Sequence, residues 1–317
     1  MSSTSTLAPT SRSNAIVVRG LTKRFGQTVA LAPLDLDLAR GSVCGLVGPN
    51  GSGKSTFMRL LVGLVPASAG SVEVDGARLT GEGLGIRRRV AFAPGEIAAY
   101  GDLTADRQLA FLLRGRDAGA LDRARALAKR LGLPLRGRMR TFSHGMKRQV
   151  MFCAAMAPDV PVRLLDEPTA GLDPTKRGEV VELVAKDARA GRCVLLSSHH
   201  FGEVARCCER VVFLAGGRLV ADERTADLEL RARRLLTLEF ERDVSSEQLE
   251  RLAAALHGDA GANVRIGAAR LAAELGGDDV LAALRGLPAD GPVPTRITFG
   301  SHSLEELYRD LYGVEGL

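Results

Sequence analysis

The chain has 317 residues, with 43 Lys and Arg against 37 Asp and Glu, for a formal charge of +6. Apolar residues make up 45% and charged residues 25%, an ordinary globular balance that excludes a mainly disordered chain. Aromatic residues are only 4% and Trp is absent, which argues against stacking platforms for single-stranded nucleic acid.

The first 14 residues, MSSTSTLAPTSRSN, have the Ser/Thr/Pro bias of a disordered tail and lack the basic and apolar regions of a secretory signal. From about Ala15 to Thr80, β-like runs alternate with turns: AIVVRGL, LDLDLA, SVCGLVG and SVEVDG. Leu34, Leu36 and Leu38 alternate with Asp35 and Asp37, as a half-buried strand requires. VCGLV is apolar throughout, as a strand covered on both faces would be. From about Thr104 to Ala157 the pattern turns helical, and strands return at VRLLD, RCVLLSS and RVVFLAGGRLVAD. A parallel sheet interrupted by a helical insertion accommodates this order.

After about Arg224 the pattern changes again. LLTLEFE alternates like a strand, and SSEQLERLAAALHG follows with Ser245 and Gln248 at capping-box spacing. NVRI, ARLAAEL, the helix DDVLAALRGL and the strand TRITF complete a β-α-β-β-α-β order, predicting a small ferredoxin-like appendage. SLEELYRDLYG adds a terminal helix opened by a second capping box, Ser303 and Glu306. No apolar run approaches the roughly 18–20 residues of a membrane-spanning helix. The five cysteines have no zinc spacing and read as reduced thiols.

Gly48-Pro49-Asn50-Gly51-Ser52-Gly53-Lys54-Ser55, followed by Thr56, matches G-x-x-x-x-G-K-[ST] between the VCGLV strand and the helix STFMRLLVGL. The glycines let the backbone wrap phosphates, and the N–H groups opening the helix present partial positive charge. Lys54 can bridge the β- and γ-phosphates and Ser55 can ligate Mg²⁺. On its own this loop does not separate kinase, GTPase and ATPase.

Further motifs, in order, resemble those of ATP-binding cassette (ABC) ATPases. Phe25-Gly26 with Ala30-Leu31 resembles the adenine loop, and Phe142-Ser143-His144-Gly145-Met146 resembles the signature usually written LSGGQ. Val162-Arg163-Leu164-Leu165-Asp166-Glu167 resembles a Walker B strand, Pro168 to Asp173 the D-loop region, and Ser197-Ser198-His199 the switch-histidine region. The resemblance implies a P-loop NTPase α/β core with a mixed sheet, an antiparallel β subdomain and a helical subdomain. It implies roles as well: Phe25 stacks on the adenine, Asp166 holds Mg²⁺ through its hydration shell and Glu167 orients or deprotonates the attacking water. Ser143 and Gly145 would touch the γ-phosphate held by a second subunit, Asp173 would lie at the dimer seam, and His199 would sense the γ-phosphate. Two departures stand out. Arg163 interrupts the apolar Walker B run, predicting one wet or ligand-facing side. Gly95 occupies the place of the family's usual Gln, which leaves two alternatives: Glu96, next in the chain, substitutes from a shifted position with its carboxylate on Mg²⁺, or the contact is absent.

The expected organisation is a tail over 1–14, a nucleotide-binding domain over 15–225 with its helical subdomain at about 96–160, and an accessory domain over 226–317. The resemblance implies an ATPase using ATP and Mg²⁺ that dimerises around two ATP and drives a separate integral-membrane permease from the cytoplasmic face. The signature ending in Gly-Met-Lys and the C-terminal appendage resemble those of bacterial drug, lipid or polysaccharide exporters, and no nucleic acid is expected. Two alternatives stay open: a soluble ABC protein acting on nucleic acid or ribosomes, and a weakly hydrolysing nucleotide-dependent regulator.

Overall fold

The structure, a computed structural model, describes residues 13–309 apart from 82, 199–201, 203, 204, 242, 243, 261, 262, 268, 277, 278, 304, 305 and 308. Alternating burial builds the first sheet. In β1 (Asn14–Phe25) and β2 (Thr28–Ala39), Ile16, Val18, Leu34, Leu36 and Leu38 turn inward while Asp35 is exposed. These strands pair antiparallel, and β4 (Ala69–Val74) and β5 (Ala77–Arg78) extend the sheet to the order β2-β1-β4-β5.

A second sheet has the order β10-β9-β3-β8-β7-β6, made from β3 (Val43–Val47), β6 (Val90–Ala93), β7 (Val162–Leu165), β8 (Cys193–Ser198), β9 (Arg210–Ala215) and β10 (Arg218–Arg224). All neighbours are parallel except β9 and β10, so RVVFLAGGRLVAD resolves into a hairpin turning at Gly216 and Gly217. Both faces of this sheet are covered. Cys193 and Leu195 of β8 pack with the first sheet and with α1 (Lys54–Leu61), while Val194 and Leu196 pack into a separate core on the opposite face. That opposite layer holds α3 (Ala105–Leu112), α4 (Ala120–Arg130), α5 (His144–Met156) and α6 (Pro174–Arg189), with the short α2 (Leu84–Arg87) preceding β6. The helices α3 to α5 lie in sequence between the neighbouring strands β6 and β7.

Beyond α7 (Thr225–Arg234), β11 (Leu235–Glu239), α8 (Ser246–Ala260), β12 (Asn263–Ile266), β13 (Arg270–Glu274), α9 (Val280–Arg285) and β14 (Arg296–Phe299) follow the expected order. Their antiparallel sheet runs β12-β13-β11-β14, the split β-α-β arrangement of a ferredoxin-like fold, over its own core of Leu236, Leu238, Leu252 and Leu271. The box opening α8 closes as expected, Gln248 N–H donating to Ser245 Oγ (3.2 Å) and Ser245 N–H to Gln248 Oε1 (2.9 Å). Ser303 and Glu306 form the second box, and most of the expected terminal helix lies outside the described residues.

Candidate nucleotide site

The phosphate loop joins the carboxyl end of β3 to α1 at Gly53, whose φ of +104° suits only glycine. A Cβ at Gly53 would approach the Ala30 carbonyl to 2.9 Å, and one at Gly217 would approach the same oxygen to 2.8 Å. The two glycines thus let the loop, β2 and the β9–β10 turn close on one another. Between them opens a cavity of about 440 Å³, lined by Asn50, Gly51, Ser52, Gly53, Lys54, Ser55 and Thr56 from the loop. Thr28, Val29, Ala30, Gly216 and Gly217 form another wall, and Glu167 completes it. Lys54 Nζ donates to the carbonyls of Gly48 (2.6 Å) and Pro49 (3.1 Å). Burial holds its ammonium below the ordinary value, while Glu167 and Asp166 pull the other way.

The two carboxylates are held by a network that the sequence did not announce. The β7–β8 register sets Leu165 beside Leu196 and brings the next residues, Asp166 and Ser197, together. Ser197, fully buried, donates from Oγ to Asp166 Oδ1 (2.6 Å) and accepts from the Glu167 N–H (2.9 Å). Glu167 adopts φ +53°, a left-handed conformation rare for a side chain of its size. Its carbonyl accepts from Arg148 Nη1 (2.5 Å), while Arg148 Nη2 donates to the Gly95 carbonyl (3.1 Å). Arg148 lies on α5 within Lys147-Arg148-Gln149, and burial lowers its pKa against the pull of Glu167 and Asp166.

Two expectations change here. Gly95 N–H donates to Asp166 Oδ2 (3.3 Å), and a Cβ at Gly95 would stand 3.0 Å from that oxygen, so backbone occupies the carboxylate's second side. Glu96 does not substitute: its side chain is 88% exposed and lies 3.3 Å from Arg59. Nor is Arg163 wet. It is 1% exposed, donating to Asp187 Oδ2 (3.0 Å) and to the carbonyls of Met156 (3.3 Å) and Pro158 (2.6 Å).

Phe25, Ser143, Gly145 and Asp173 are not among the residues that line the cavity. Phe25 ends β1, 52% exposed, with Lys23 Nζ 4.6 Å from its ring centre. Ser143 caps α5, accepting from Met146 N–H (3.2 Å), and Asp173 caps α6, accepting from Lys176 N–H (3.0 Å); both are exposed. Gly145 packs its backbone against Gly171, whose carbonyl a Cβ would meet at 2.5 Å, so the signature turn and the D-loop region touch. His199 lies outside the described residues.

A strand, glycine loop and helix facing two anchored carboxylates at the end of a parallel strand one place further along the same sheet define a P-loop nucleoside triphosphatase. The ABC transporter family pattern matches residues 31–170. A daunorubicin resistance ATP-binding protein of Streptomyces coeruleorubidus is 39% identical over 223 residues, spanning 69% of this chain and 70% of that protein. A linearmycin resistance ATP-binding protein of Bacillus subtilis is 34% identical, spanning 65% and 68%. Among solved structures, the ATP-binding subunit of an ABC transporter superposes with a TM-score of 0.62 at 28% identity, over 68% of this chain and 92% of that one. A dimeric ATP-binding cassette bound to ADP and Pi gives 0.60 at 26% identity, over 66% and 98%. The chain belongs to the ABC transporter family, as an ATP-binding ATPase subunit.

Proposed function

We propose that this chain is the motor of an export-type ABC transporter, hydrolysing ATP as one half of a head-to-tail dimer bound to a separate membrane permease. The observation that carries the reading is the anchored pair Asp166–Glu167 beside the phosphate-loop cavity. Similarity to subunits named for drug resistance and Nod factor export supports the direction of transport. No helix among the described residues is long and apolar enough to cross a membrane, which agrees with a peripheral subunit that works with a separate permease.

In this reading the loop N–H groups and Lys54 bind the β- and γ-phosphates, and Lys54 exchanges its two loop carbonyls for phosphate oxygens. Mg²⁺ fits the donors present. Each oxygen of Asp166 accepts one hydrogen bond and keeps lone pairs for a metal-bound water, and Ser55 offers a hydroxyl at the helix start. When bound, the ion neutralises charge developing on the phosphates. Glu167, held by Ser197 and Arg148, orients the attacking water and accepts its proton. Phe25 stacks on the adenine, and His199 senses the γ-phosphate. Ser143 and Asp173, both exposed, and Gly145 in the same signature turn as Ser143, serve the ATP held by the second subunit. The helices between β6 and β7 face the permease. Glu167→Gln is the test: turnover should fall to background while ATP binding persists and the dimer becomes visible by light scattering. Unchanged turnover would overturn the assignment of the base.

A further inference from the structure

The face of β7 opposite α1 leads to a second cavity, of about 400 Å³, remote from the nucleotide. It lies between α4, the α5–β7 connection and the carboxyl half of α6. Its walls are apolar, from Leu127, Met156, Pro158 and Leu183, and its cations are Arg123, Arg130, Arg163, Lys186 and Arg192 against the single carboxylate of Asp187.

Hydrogen-bond accounting decides what chemistry the cavity lacks. The carbonyls of Met156 and Pro158 accept from Arg163, and that of Ala157 accepts from Arg123 Nε (2.7 Å). Both oxygens of Asp187 are engaged, one by Arg163 and the other by Arg192 Nη1 (2.9 Å). Arg130 pairs with Glu182 (2.7 Å) and Arg192 also with Asp159 (2.9 Å). These three carbonyls and both carboxylate oxygens are therefore engaged, whereas two donors of the lining residues are not. Arg163 Nη1 is buried with no hydrogen-bond partner, and the exposed Lys186 ammonium makes no hydrogen bond or ion pair among the described residues. A buried guanidinium with an unmet donor is costly, because it cannot shed its proton. The carboxyl end of α6 adds partial negative charge near Ala190, which the surrounding cations outweigh.

We infer that this cavity binds a small amphiphilic anion, an aromatic or aliphatic body carrying one carboxylate, sulfonate or phosphate head, with the head on Arg163 and Lys186 and the body against Leu127, Met156 and Leu183. The volume suits a ligand of two or three rings. Such a ligand would bridge the helical insertion to β7, the strand that leads into Asp166 roughly 10 Å beyond Arg163.

The test uses 8-anilinonaphthalene-1-sulfonate and its uncharged counterpart N-phenyl-1-naphthylamine, on the full chain, with the phosphate loop filled by a non-hydrolysable ATP analogue and Mg²⁺. The sulfonate should bind saturably at one site, at least about tenfold tighter than the neutral ring system. Lys186→Glu reverses an exposed charge at the rim and should weaken sulfonate binding about tenfold. Ala126→Trp, also at an exposed position, fills the cavity and should abolish binding. Both variants are checked for unchanged melting before titration. Absence of saturable binding, equal affinity for the neutral compound, or binding indifferent to both substitutions would overturn the site.

Discussion

Ser197→Ala isolates the network that holds the hydrolytic carboxylates. The substitution removes a 2.6 Å hydrogen bond to the charged Asp166 and leaves the half-buried Glu167 N–H without its 2.9 Å acceptor. A hydrogen bond to a charged group is worth about 1.5–3 kcal/mol, and an orphaned buried donor costs about 1–3 kcal/mol. The two effects share one hydroxyl, so a combined loss of about 3 kcal/mol is expected, or a fall in melting temperature of about 5 °C for a chain of this size. Glu167 also loses the hydrogen bond of its N–H, one of the three backbone hydrogen bonds that hold it at φ +53°. Turnover should therefore drop about tenfold or more, while KM for ATP moves less than about threefold because the phosphate loop is untouched. Ser197→Thr keeps the hydroxyl and should recover most of kcat, even though its extra methyl has no room at a fully buried position. The assays are thermal unfolding followed by circular dichroism, and steady-state ATP hydrolysis. Melting within about 1 °C of wild type together with kcat within about twofold would refute the reasoning.

Two further outcomes follow from charged pairs. Asp187→Ala strands the buried Arg163 guanidinium and should destabilise the chain by about 3 kcal/mol, whereas adding Arg163→Leu should recover much of the loss; a double variant as weak as the single one would contradict this. The Arg125 guanidinium hydrogen-bonds Asp106 and holds its carboxyl below the ordinary 3.8. A depressed acid stabilises the fold above its unfolded value and loses that contribution as pH falls through the lower folded one, so melting temperature should decline on acidification below about pH 3.8. Asp106→Asn should flatten part of that decline, and an identical pH profile would count against the pair.

Much of the architecture was legible because its determinants are local. The glycine loop, the capping boxes at Ser245 and Ser303, and the period-two alternation in LDLDLA each report their own backbone. The order of strands and helices after Arg224 likewise predicted the ferredoxin-like sheet. What escaped depends on partners distant in sequence. Ser197 acquires its role from the parallel register of β7 and β8, 31 residues from Asp166, although two serines closing an apolar strand were a signal. Arg163 reads as a wet or ligand-facing interruption of the Walker B run because nothing nearby reveals Asp187, 24 residues on, as its counter-charge. Arg148 stood within a stretch typical of the family, but only the approach of α5 to Gly95 and Glu167 gives its guanidinium two carbonyls to clamp.

The strand order has a consequence for biosynthesis. The phosphate loop leaves the ribosome early, yet β3 is flanked by β8 and β9, which are translated last among the strands of that sheet apart from β10. Gly217, whose N–H donates to the Ser52 carbonyl (3.1 Å), arrives about 160 residues after the loop itself. At roughly 5–20 residues per second, a nascent chain carries an unfinished nucleotide cradle for about 8–32 seconds. ATP can therefore act as a folding ligand only near the end of synthesis, and a truncation before the β9–β10 hairpin would yield a chain containing every phosphate-loop residue and no competent site.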